Sequence, residues 1–282
     1  MAPARPEPPD PHESRDTRGI VDPAGLLTRV RFRRHPPAEP LRHWVETYWL
    51  IDWDLPEPYA SHIVPHPSVN LTFQWDEDEG PPYAEVTGIP LGLYTRKLTG
   101  RGRVCGVKFR PGGFRPYAPG RPAGHWTGRV ESAGTVFPAA TPERARSVVT
   151  APTDTDRRTA LDTFLLSLAP APDPQADLAM DLVRHIRADR TVRRVTDIAP
   201  DLSVRALQRL FSGYVGVPPK WVILRYRIHE ALEHAGTRQD VDWAALAADL
   251  GYADQAHLIR DFTRTVGVPP TTYATTSTGT AS

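Results

Sequence analysis

The chain has 282 residues, 40% of them hydrophobic and 24% charged, and its net charge is +1. These fractions describe a folded globular chain of about two domains, and no apolar run approaches the roughly 18 residues that a membrane-spanning helix needs. The single cysteine, Cys105, excludes an intramolecular disulfide and fits a reducing cytoplasm, and the near-neutral balance gives no overall attraction to nucleic acid.

Residues 1–20 hold five prolines and many charges. They lack the apolar stretch of a secretory signal and are expected to form a disordered tail. Residues 21–169 read as a β-rich domain with a helical end. Glu46-Thr47-Tyr48-Trp49-Leu50-Ile51-Asp52-Trp53 is β-branched and aromatic, Val69 to Trp75 alternates strictly, and Arg103 to Phe109 is a third strand, closed by the turn Pro111-Gly112-Gly113. Short strands at this spacing predict a barrel-like, cupin-like fold. From Pro142 to Leu168 the period becomes helical, with Ala160, Leu161, Phe164, Leu165 and Leu168 on one stripe that either covers the barrel or pairs two copies of the chain. Pro170 to Gln175 is a stiff linker, residues 176–273 read as helix throughout, and residues 274–282 as a second polar tail. The fold class is therefore α+β in two domains, the second all-α.

An internal repeat carries the functional argument. Leu207-Gln208-Arg209-Leu210-Phe211-Ser212-Gly213-Tyr214-Val215-Gly216-Val217-Pro218-Pro219 returns 51 residues later, from Leu258 to Pro270, with eight of thirteen positions identical. Average residue frequencies give about one identity by chance. Ser203 and Asp254 are N-cap residues for the two helices, and Leu207 with Phe211, like Leu258 with Phe262, faces inward at i,i+4. Gly216 and Gly267 stand where a left-handed residue ends each helix, and a proline opens the next. Before the second copy, Asp242 caps a helix carrying Trp243, Leu246 and Leu250, and Gly251 turns the chain into the next helix. Helix, short glycine turn, helix is the helix-turn-helix pattern. A connecting helix bearing Trp221, Leu224, Ile228, Ala231, Leu232 and Ala235, stopped at Gly236, joins the two units.

Packed helical hairpins without a nucleic-acid partner would show the same period, so the outward residues decide. Arg205, Gln208, Arg209 and Ser212 share the outer face of the first helix, and arginine and glutamine suit bidentate contacts with guanine and adenine edges. The second helix offers Gln255, Ala256, Ile259 and Arg260. Residues 184–227 hold ten basic and three acidic side chains, whereas residues 228–273 hold three basic and seven acidic ones. Phosphate contacts supply most non-specific affinity, so the first unit is expected to carry most of the binding.

These residues resemble the AraC/XylS family of bacterial transcriptional regulators. Ser203 to Phe211 looks like the first recognition helix of that family, and Leu250 to Phe262 with Gly267 to Tyr273 like its second unit. The resemblance implies sequence-specific binding of promoter DNA, with the two helices in successive major grooves, and RNA polymerase as a partner of an activator. Ile198 to Ser203 departs from the family's pattern: it is two residues shorter, lacks the turn leucine and glycine, and its Pro200 ends the preceding helix early. The segments Glu46 to Leu50, Leu55 to Tyr59, Pro65 to Leu71 and Gly106 to Phe114 resemble the β-rich sensor domain of some actinobacterial members, implying an effector-binding or dimerising role.

Other residues admit a packing role beside a functional one. Trp44, Trp49, Trp53 and Trp75 with Tyr48 either pack a core or line an apolar pocket. Trp49, Trp53, His66 and Arg110 are the candidate effector contacts. His62 and His66 lack the further ligands a metal requires, so no metal or other cofactor is expected. Cys105 lacks an adjacent base and reads as a packed thiol. The alternative to a regulator is a small cupin-like enzyme with an accessory helical domain. A protein-binding adaptor is a third reading, raised by the acidic second unit.

Overall fold

The computed structural model describes residues 17–237 and 241–278. The β-rich domain is built from β1 (Val30–His35), β2 (Val45–Asp54), β3 (Tyr59–Ile63), β4 (Asn70–Asp76), β5 (Tyr83–Thr87), β6 (Tyr94–Leu98), β7 (Arg101–Phe109) and β8 (Val130–Ser132). Six strands form an antiparallel sheet in the order β1-β2-β7-β4-β5-β8, and β3 pairs with β6 as a separate ribbon. The three strands read from the sequence are β2, β4 and β7, the ones with the strongest apolar pattern. The other strands are shorter or more polar, and their pattern does not stand out from the loops.

The period of two divides the large sheet into two faces. Tyr48, Leu50, Leu71, Phe73, Cys105 and Val107 turn to one side, into a core closed by Leu161, Phe164 and Leu165. These last three belong to the predicted helical stripe, which is used within the chain to cover the sheet. The helical end is not continuous: after α1 (Pro23–Leu27) and α2 (Ala133–Val136), α3 (Pro142–Val149) stops and α4 (Asp154–Ser167) starts afresh. The break is local chemistry, since Thr153 and Asp156 cap each other's backbone N–H groups. Arg33, with its side chain 1% exposed, pins α4 to the sheet through Asp154 at 2.7 Å and Asp52 at 2.6 Å.

The helical domain comprises α5 (Pro174–Ala188), α6 (Val204–Leu210), α7 (Pro219–Thr237), α8 (Trp243–Asp249), α9 (Gln255–Val266) and α10 (Pro270–Thr278). It has two cores, one around Leu207, Phe211 and Val222, the other around Leu246, Leu258 and Phe262, with α7 contributing to both. Residues 176–273 are not helical throughout. Between α5 and α6 the only helical turn is the 3₁₀ segment Val195–Asp197, because Asp197 caps the turn and Pro200 prevents its extension. The first unit thus lacks a full counterpart of α8.

Both expected tails are shorter than the sequence suggested, and residues 1–16 and 279–282 lie outside the described residues. Ile20 bridges to Ile63 and is buried, and Val64 N–H donates to the Gly19 carbonyl at 2.7 Å. At the other end Ala274 is buried within α10. Each segment brings apolar surface to a core, which outweighs its local preference for disorder.

Candidate nucleic-acid interface and ligand cavity

Ser203 caps α6 by accepting from Ala206 N–H at 3.2 Å, and Asp254 caps α9 by accepting from His257 N–H at 2.7 Å. Gly216 and Gly267 end the two helical stretches with φ of 102° and 89°, and Gly251 turns α8 into α9 at φ 73°. With Leu207, Leu210 and Phe211 buried beneath, Arg205, Gln208, Arg209 and Ser212 all stand exposed on the first unit. On the second, Gln255, Ala256 and Arg260 are exposed and Ile259 is half-buried, with Leu258 and Phe262 of the same helix in the core.

The two ridges are not equivalent. α9 is a regular helix through Val266, whereas α6 passes at Phe211 into a π turn, Phe211–Val215, closed by Gly216 N–H on the Phe211 carbonyl at 2.7 Å. The extra residue breaks the uniform 3.6-residue period just beyond Arg205, Gln208 and Arg209. Gly213, where α9 has Arg264, is the local residue least committed to an α-helix. The β-rich domain also touches this end: Thr127 Oγ1 donates to the Gly216 carbonyl at 2.6 Å, and a Cβ at Gly124 would lie 3.1 Å from the Ser212 carbonyl.

The charge contrast between the units is smaller than residue counting suggests. Arg225 and Arg227 are buried, donating to the carbonyls of Leu91, Leu250 and Val192. Arg184, Arg187 and Arg190 pair with Asp181, Glu46 and Glu230. The exposed remainder is Arg193, Arg194, Arg205, Arg209 and Lys220. In the second unit Asp242 and Asp254 are helix caps, and Asp261 is buried against Arg264 at 2.7 Å.

The second face of the large sheet looks onto a cavity of about 190 Å³, roofed by the β3–β6 ribbon. Trp49 lies opposite Gly106 and Trp53 opposite Gly102 in the β2–β7 register. A Cβ at either glycine would fall 2.0 Å from the facing indole, so the glycines let both rings lie flat across β7. Asn70, Thr72 and Gln74 continue the floor along β4, and Ile20, Ile63 and Leu98 belong to the roof. Of the candidate effector contacts, Trp49, Trp53 and His66 line this cavity. Arg110 does not: it sits outside, with Nε donating to the Arg42 carbonyl at 2.9 Å. Trp44 and Trp75 pack against the main core, to which Tyr48 belongs, on the opposite face of the sheet. His62 is a strand residue bonded to Thr95 Oγ1 at 2.9 Å. Cys105 is fully buried in the main core, which pushes its thiol up to about 12.

Two features of the cavity wall reach the helical domain, and neither is visible in the sequence. The half-buried His66 ring stacks on buried His229 of α7, with centroids 4.0 Å apart and planes at 8°. His229 Nε2 lies 3.2 Å from the Pro65 carbonyl, and burial drives its pKa down to about 3. Lys108, also on the wall, pairs with Glu46 at 3.1 Å, and Glu46 meets Arg187 of α5 at 3.4 Å. Burial lowers the Lys108 ammonium to about 8. Burial would raise the Glu46 carboxyl, but Lys108 and Arg187 outweigh it and hold the group below its ordinary value. Contacts between elements remote in sequence create both features.

Residues 199–276 match a model described as a helix-turn-helix domain. The C-terminal domain is an AraC-type helix-turn-helix domain. With that AraC-type domain, the chain is a DNA-binding transcriptional regulator. Residues 33–132 match a domain of unknown function, DUF6597. No curated protein is significantly similar to the chain. Among solved structures it is similar to ToxT from Vibrio cholerae O395, at 12% identity over 82% of this chain and 98% of that one, with a TM-score of 0.41. It is similar also to the unsaturated fatty acid bound ToxT of Vibrio cholerae strain SCE256, at 13% identity over 82% and 95% of the chains, with a TM-score of 0.40. Among the described residues no helix is long and apolar enough to cross a membrane.

Proposed function

We propose that the regulator reads its operator through Arg205, Gln208 and Arg209 of the first unit and Gln255, Ala256, Ile259 and Arg260 of the second, and that occupancy of the β-domain cavity adjusts this reading. Residues 176–273 form the DNA-binding unit, residues 21–169 the sensor, and residues 170–175 the linker between them. The observation that carries the DNA contacts is the pairing of two exposed polar ridges with two buried Leu/Phe cores inside an AraC-type domain. Arg205 and Arg209 contact guanine edges or phosphates, and Gln208 an adenine edge. Ser212 stands at the end of the ridge, beside the sensor domain, and contributes less.

Contacts between the cavity wall and the helical domain support a route from cavity to DNA. A ligand against His66 or Lys108 presses on groups whose next neighbours are His229 and, through Glu46, Arg187, on α7 and α5 of the DNA-binding unit. Coupling requires the ligand to favour one arrangement of these contacts over another. If the protein is an activator it engages RNA polymerase, and a homodimer would double the length of operator read. An electrophoretic titration of the chain's own upstream region tests the reading. Alanine at Arg205, Gln208 and Arg209 together abolishes specific binding while the circular dichroism spectrum stays unchanged, and retained specificity overturns it.

A further inference from the structure

The cavity wall holds a buried donor that packing does not explain. Gln74 is 5% exposed and lines the cavity, and among the described residues its side-chain Nε2 has no hydrogen-bond partner. Its neighbours on the same strand face are engaged: Asn70 accepts from Trp49 Nε1 at 3.4 Å and Thr72 Oγ1 donates to the Glu85 carbonyl at 3.5 Å. A buried amide donor left unmade is costly, and such an orphan calls for an acceptor supplied from the cavity. Ser68, 3% exposed and on the same lining, leaves its hydroxyl equally unpartnered.

The remainder of the cavity limits what can supply that acceptor. Two indoles lie flat over glycines and offer aromatic faces for a ring to stack on. The lining as a whole is predominantly apolar, although the ribbon adds Ser61, Tyr94 and Arg96, so a polyhydroxylated ring would bury most of its hydroxyls without partners. Three of the wall's cations are paired with carboxylates, Lys108 with Glu46 at 3.1 Å, Arg96 with Glu79 at 3.3 Å and Arg18 with Glu233 at 3.8 Å, and the fourth, Arg34, lies over the Phe32 ring at 5.5 Å. Lys108, Arg96 and Arg18 therefore need no charge from a ligand. A volume of about 190 Å³ is a little larger than the engineered cavity of about 150 Å³ that holds benzene.

From these observations we propose that the cavity binds a small, neutral, planar ligand of one or two fused rings, stacked on Trp49 and Trp53 with a carbonyl or ring acceptor on Gln74 Nε2. The proposal names the effector class of the site described above and so rests on that reading. Its test measures occupancy without DNA, so the two fail separately. If the ligand binds and operator affinity does not change, the effector reading falls and the ligand assignment stands.

The experiment titrates the full-length chain calorimetrically with 1-indanone, with indane (the same rings without the acceptor), with octanoate and with glucose. The expected result is saturable binding of 1-indanone, with indane at least fivefold weaker and neither octanoate nor glucose competing. Gln74→Leu should bring 1-indanone to within twofold of indane and raise the melting temperature of the unliganded protein. Gly106→Leu, which drives a side chain into the Trp49 indole, should abolish binding of both rings. Equal affinity for 1-indanone and indane in the unaltered chain, tighter binding of octanoate or glucose, or no binding of any ring overturns the assignment. Each of these overturning results is read on the unaltered chain, whether or not the variants fold.

Discussion

Replacing Arg205, Gln208 and Arg209 together by alanine separates recognition from folding. All three are exposed on α6, whose buried side carries Leu207 and Leu210. None supplies the cap, which is the Ser203 hydroxyl. Surface substitutions of this kind change folding stability by no more than about 0.5 kcal/mol. Each good bidentate base contact is worth about 1–3 kcal/mol, so three lost contacts weaken binding by at least about 3 kcal/mol, roughly a hundredfold in Kd. Any arginine that meets phosphate instead of a base also contributes about 0.9 to the slope of log K against log salt, and its removal flattens the slope by that amount. Fluorescence anisotropy of a labelled upstream fragment between about 50 and 200 mM salt reads both quantities. Arg260→Ala, from the second unit, should cost less than Arg205→Ala or Arg209→Ala. A larger loss for Arg260→Ala refutes the assignment of affinity to the first unit. Unchanged affinity and slope for the triple variant refute the interface itself.

Four further outcomes follow from side chains between and within the domains. His229 is buried neutral, with its pKa lowered to about 3 by burial, so the unfolded chain takes up its proton first. Stability therefore falls as pH drops below about 6.5 and continues to fall toward about 3, by up to roughly 1.4 kcal/mol per pH unit from this residue. His229→Phe keeps a ring in the stack and should flatten the decline of melting temperature with pH; an identical pH profile would count against it. Glu46→Gln leaves Lys108 and Arg187 without their shared carboxylate and should destabilise the fold by about 3 kcal/mol, read by urea unfolding. Gly106→Ala places a Cβ 2.0 Å from Trp49 and should cost about 1–3 kcal/mol, with a change in tryptophan fluorescence. Cys105, buried and with its thiol raised to about 12, should react with an aromatic disulfide reagent only after unfolding.

The parts of this protein legible from its residues are those governed by local rules. Caps at Ser203, Asp242 and Asp254, left-handed glycines at 216, 251 and 267, and the Leu/Phe spacing of the repeat depend on neighbours a few residues away. So does the alternation that marks β2, β4 and β7. These are enough to place the two exposed polar ridges and, with the family's pattern, the DNA-binding function. Other features depend on which remote segments meet. The π turn at Phe211–Val215 lies against a turn of the β-rich domain, and Arg225 and Arg227 count as DNA-facing charge until their burial is seen. The stacking of His66 on His229 joins residues 163 positions apart in sequence. Gln74 reads as an ordinary polar strand residue until the ribbon of β3 and β6 closes over it. Backbone preference and hydrophobic period act over a turn or a strand, so they are written locally. Burial, partnership and charge environment are decided only when distant surfaces come into contact.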